Sequence, residues 1–89
     1  MFVDIHGAET HLLYAQALLG AGDGPKAIFE AESALLCEPI KADVAARANV
    51  VIAKAALKGG DVTKAKAARD EALRQDPESK EAKDLALPP

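Results

Sequence analysis

The chain contains no tryptophan, one tyrosine, two phenylalanines, one methionine and one cysteine in 89 residues. With Phe2, Tyr14 and Phe29 as the only aromatics, few large rings are available to fill space between layers. A core must then come from Ala, Leu, Ile and Val on closely approaching helices. A lone Cys37 cannot close an internal disulfide, so a disulfide framework is excluded and a reducing compartment such as the cytoplasm is the expected setting. No apolar run reaches the roughly 18 residues of a membrane span, and Met1-Phe2-Val3-Asp4 lacks the basic start of a secretory signal. A membrane is not an expected partner. The formal charge of -3 is made of interspersed signs with no basic block, so nothing tracks a phosphate backbone and nucleic acid is not an expected partner either.

What the chain does have is self-similarity. Gly22-Asp23, Lys26-Ala27, Ala34-Leu35 and Pro39 recur 38 residues later as Gly60-Asp61, Lys64-Ala65, Ala72-Leu73 and Pro77. Residues 8–39 laid over 46–77 give 11 identities in 32 positions, where an Ala-rich composition gives about three by chance, and repetition at that length means a stack of small helical units.

Leu12, Ala15, Leu18 and Leu19 predict a helix over residues 8–20 with a broad apolar stripe. The stretch Gly20-Ala21-Gly22-Asp23-Gly24-Pro25 interrupts it. Gly suits a left-handed helix end, Asp caps the next helix, and Pro is tolerated in a first turn where its missing N–H has no partner. A second helix is expected from about Pro25 to Leu36, with Ala27, Ile28, Ala31, Ala34 and Leu35 inward. So short a connection makes the two an antiparallel hairpin. The second unit repeats the plan, with helices from about Ala42 to Lys58 and Val62 to Gln75. A sequence without breakers at Asp43–Ala46 favours one extra turn of about 3.6 residues at its start over the alternative of a longer loop at Glu38–Lys41. Asp76, Pro77 and Glu78 then read as the start of a terminal helix, with Ala82, Leu85 and Ala86 covering the preceding hairpin. The expected fold is an all-α, antiparallel helix-hairpin solenoid of about five helices. It forms one domain over 1–89: an extended segment 1–7, repeats at 8–39 and 42–77, and a capping helix at 78–87.

These residues resemble the tetratricopeptide repeat, a helix-turn-helix unit of about 34 residues that stacks into a superhelix with a concave groove. The resemblance rests on Ala15 and Ala53, the two Gly-Asp turns, Ala27 and Ala65, the two Ala-Leu pairs, and Pro39 and Pro77. It departs from the family at His11 and Asn49, where Trp is frequent, and at Ala31 and Arg69, where a bulky aromatic is usual. The family's carboxylate clamp is not carried over, since the matching positions are Leu12, Gln16 and Val51. The resemblance implies a scaffold that binds another protein or peptide on a helix-lined concave face. It places Glu9, Leu12, Gln16, Leu19, Arg47, Val50, Lys54 and Lys58 along that groove. Arg47, Lys54 and Lys58 fall on one helical face, which reads either as an ordinary solvated face, the commoner case for surface Lys and Arg, or as a basic stripe suited to an acidic or C-terminal peptide.

Catalytic and metal chemistry find no constellation. His6 and His11 share no helical face, Cys37 has no His at helical spacing and reads as a small core residue, and the Gly20–Gly24 stretch lacks the Lys-Ser/Thr pair of a phosphate loop. No enzyme, cofactor or metal is expected. The first hairpin nevertheless carries an apolar excess in Leu13, Tyr14, Leu18, Phe29 and Leu36, whereas Phe29 and Leu36 have Ala67 and Arg74 as repeat counterparts. Cover is expected from Phe2 or Ile5, from a second copy as a homodimer, or from a preceding domain, with the chain as the C-terminal part of a larger protein.

Overall fold

A computed structural model describes residues 7–37 and 40–87. The expected cover by Phe2 and Ile5, the stop at Pro39 and the role of His6 lie outside the described residues. Among the described residues there are five helices and no strand: α1 (Ala8–Gly20), α2 (Gly24–Leu35), α3 (Ala42–Lys58), α4 (Val62–Gln75) and α5 (Lys80–Lys83).

The two turns show how local chemistry sets the hairpins. Gly22 and Gly60 have φ of +87° and +86°, the left-handed conformation that Gly adopts without a Cβ clash. Each reversal is closed the same way. The Asp23 N–H donates to Leu18 O at 2.9 Å and the Asp61 N–H to Ala56 O at 2.9 Å, satisfying carbonyls the helix end leaves open. Each Asp then caps the following helix, Asp23 accepting from the Lys26 N–H at 3.2 Å and Asp61 from the Lys64 N–H at 3.0 Å. Helix α3 is 17 residues long against 13 for α1, so the extra residues of the second unit enter as one more helical turn and the packing face keeps its direction.

Helix α1 packs on α2, α3 on α4, and α3 also lies against α1, α2 and α5. The centre of the molecule is therefore α3, which buries 11 of its residues while α1, α2 and α4 bury three each. Ala15, Ala27, Ala31, Ala34, Ala48, Ala53, Ala65, Ala72 and Ala82 are wholly inaccessible. Methyl groups at these positions let backbones approach closely, and each contributes only about 0.8 kcal/mol of transfer energy. Asn49, buried where an apolar residue would serve, donates Nδ2–H to Ala45 O at 3.1 Å, which offsets its desolvation.

Two expectations need correction. The terminal helix covers Lys80–Lys83, not the whole of 78–87, and its cap is Ser79, whose Oγ accepts from the Ala82 N–H at 3.2 Å. Asp76 instead accepts from the Glu78 N–H at 3.1 Å and closes a turn through the Ser79 N–H to its own carbonyl at 3.0 Å. Cys37 is half-buried rather than buried, packing against the edge of the core, with Sγ donating to Ser33 O at 3.4 Å.

Candidate interaction surface

Beside α3 a hollow of about 510 Å³ opens between α1 and the α5 end of the molecule. Six of the residues expected along a groove line it: Gln16, Leu19, Arg47, Val50, Lys54 and Lys58. Spacing on two helices accounts for this. Arg47, Val50, Lys54 and Lys58 follow one face of α3 at steps of three, four and four, as Gln16 and Leu19 do on α1 at a step of three. Packing α1 beside α3 sets the two faces together.

The floor is apolar and the rim charged. Half-buried Leu19 and Leu57 supply the apolar surface at the base, set over Val50 and Val51, which are only 2% and 3% exposed. Arg47, Lys54 and Lys58 stand exposed around it. Gly20, Val51, Leu57 and Glu81 also line the hollow and were not among the expected residues. Leu57 had a signal, being the repeat counterpart of Leu19. Glu81 had none, because its place depends on how α5 docks. Its carboxylate lies 3.8 Å from Arg47 Nε with both side chains half-exposed, a loose pair of small energetic weight. Lys54 and Lys58 have no carboxylate partner among the described residues, so the rim keeps a positive excess.

The other two expected groove residues sit elsewhere. Leu12 is 4% exposed and belongs to the core, pointing between the helices where it holds α1 down. Glu9 lines a separate hollow of about 250 Å³ with Ile40, Lys41 and Val44, near the start of α1.

Of the apolar residues on the first hairpin, Leu13, Tyr14, Phe29 and Leu36 are 67%, 58%, 65% and 83% exposed. Leu18 is different: it packs against the core. At the edge of this hairpin His11 Nδ1 lies 2.9 Å from Glu30 Oε1. No group of three or more His, Cys, Asp or Glu side chains that could hold a metal ion occurs among the described residues. Compared with protein-family models, with curated proteins and with solved structures, the chain matches none.

Proposed function

We propose that the chain is a tetratricopeptide-like interaction module, two hairpin repeats closed by α5, that captures an acidic peptide with aliphatic side chains in the hollow beside α3. The observation that carries this reading is the pairing of an apolar floor with a rim of three cations against one carboxylate. Aliphatic anchors supply burial, and the excess charge selects the sign of the partner. A volume of about 510 Å³ suits a few side chains, not a folded domain.

Fluorescence anisotropy with a labelled peptide of alternating Glu and Leu tests the reading. Binding that weakens with added salt is expected, and its loss is expected when Arg47, Lys54 and Lys58 are all changed to Glu. All three are exposed, so the melting temperature should hold. Binding that survives the triple reversal moves the site elsewhere.

A second reading, self-association through the first hairpin, is favoured by the exposure of Leu13, Tyr14, Phe29 and Leu36. Sedimentation across a range of concentrations separates the two. A stable dimer supports the second reading and a monomer retires it.

A further inference from the structure

The 38-residue repeat gives each position of the first hairpin a counterpart in the second, and burial can be compared position by position. On α3, Ala48, Val51, Ile52 and Ala55 are 0%, 3%, 6% and 3% exposed. The first three belong to the core shared with α1 and α2. Ala55 lies against Gly24, where an added Cβ would come within 3.9 Å of the Ala55 methyl. This is the face on which the first hairpin sits. The counterparts on α1 are Thr10, Leu13, Tyr14 and Ala17, and all four are exposed. At 100° per residue they share one side of α1, away from buried Leu12 and Ala15. Helix α1 thus turns to solvent the face that α3 buries, with a larger apolar pair, Leu13 and Tyr14, in place of Val51 and Ile52. Phe29 and Leu36 do not belong to it. Their counterparts, Ala67 and Arg74, are exposed as well.

We infer that the outer face of α1 is a stacking surface that takes one more helical hairpin of this same repeat, in tandem, seated as the first hairpin is seated on α3. A second copy of the chain is a poorer occupant on two grounds. The face that receives α3, including Ile28, Ala31 and Leu35, is already packed against the core that the copy's own α3 completes. Its counterpart on the second hairpin reads Lys66, Arg69 and Leu73, charged at two positions, and Leu73 is partly buried against the cluster that includes Ala82 of α5. Face-to-face pairing of two α1 helices would bury mainly Leu13 and Tyr14. That is a few hundred Å² per copy, short of the ~800 Å² per partner of a standard stable interface between free chains. A hairpin linked in tandem meets the face at high effective concentration and needs less area.

The inference stands on the repeat register, not on the groove, so failure of peptide capture leaves it untouched. Its test is a lengthened chain in which one additional copy of residues 4–41 precedes Asp4, preserving the register. The melting temperature should rise on the order of 10 °C above that of the parent. One of the two tyrosines of the lengthened chain should become shielded from acrylamide, while the single Tyr14 of the parent stays open to it. Leu13→Lys with Tyr14→Lys in the inner copy should erase the gain, yet leave the parent chain's melting nearly unchanged. The inference is overturned if the lengthened chain fails to fold or melts no higher than the parent, or if the gain survives both lysines. A parent chain that sediments as a dimer, and as a monomer once both lysines are introduced, gives the face to a second copy and overturns it equally.

Discussion

The two hairpins share their turns almost atom for atom and differ in what lies around them. Asp23 and Asp61 have φ, ψ of -96°, 78° and -92°, 80°, and the same backbone and side-chain hydrogen bonds close both reversals. Yet the first helix of one hairpin buries three residues and the first helix of the other buries 11. Turn geometry is set by a handful of adjacent residues and is repeated wherever those residues recur. Burial is set by neighbours, and only α3 has a hairpin on one side with α4 and α5 on the other. The outer surfaces diverge as well. Where the first hairpin exposes Leu36, the second has Arg74, paired with Glu71. A shared repeat thus fixes the unit, and position in the stack decides which of its faces work as core.

The sharpest way to break that comparison is to truncate equivalent residues. Ile52→Ala, at a site 6% exposed, should cost ~2–5 kcal/mol through lost burial and the cavity left behind. Tyr14→Ala, its counterpart at 58% exposed, should change stability by no more than about 0.5 kcal/mol. Urea unfolding of the two variants measures the difference. Equal costs would mean that the two first helices are not in different environments.

Enlargement tests the opposite limit, positions where the two hairpins should agree. Ala27 and Ala65 are both inaccessible and begin equivalent turns of α2 and α4. A leucine side chain at either has no space to enter, so Ala27→Leu and Ala65→Leu should each lose roughly 1–3 kcal/mol by overpacking. Thermal melting monitored by circular dichroism reads the loss. An Ala65→Leu variant that melts with the parent would show that the second hairpin packs more loosely than the first.

The sequence carried these features unequally. Helix bounds from α1 to α4 were legible to within a residue, because Gly22, Gly60 and the two capping aspartates act on their own neighbours. The extra turn of α3 was legible for the same reason, since Asp43–Ala46 contains nothing that stops a helix. The terminal helix was not. Asp76 and Ser79 can each cap, and which one does depends on the turn through Pro77 and on docking of Ala82 and Leu85 against α3 and α4. The candidate groove divides along the same line. Residues placed by spacing along α3 gathered in one hollow, whereas Leu12 fell into the core and Glu81 entered from a helix distant in sequence. Helical periodicity tells which residues share a side, but not which neighbour that side meets.

Smaller effects should follow where the two turns are alike. At Gly22 and Gly60 an added Cβ meets nothing within 4 Å, so Gly→Ala acts only through the positive φ. Each should cost about 1–2 kcal/mol, and the two costs should match. Thermal melts of the single variants provide the check. Unequal losses would separate turns that the hydrogen bonds describe as one design.

The smallest effect should come from the charged outer surface of the second hairpin. Glu71 accepts hydrogen bonds from Arg74 and from Gln75 Nε2, the latter at 3.0 Å. The first-hairpin counterparts of Glu71 and Arg74 are Ser33, whose hydroxyl bonds only its own helix at Phe29 O, and exposed Leu36. The Arg74 hydrogen bond, then that of Gln75, holds the Glu71 carboxyl below its ordinary value, and the same pairing raises the Arg74 guanidinium. Because the folded carboxyl is the stronger acid, its contribution to stability is present above the unfolded-state value and is lost as pH falls through the folded one. The pair is solvent-exposed, so the contribution is small and screened by salt. Glu71→Gln should therefore lower the neutral-pH melting temperature by less than either glycine variant does, with the difference from the parent vanishing once acid has protonated the carboxylate. A difference that grows in acid would reverse the assigned sign. One that exceeds the glycine effects would make the charged surface, and not the position in the stack, the main distinction between the hairpins.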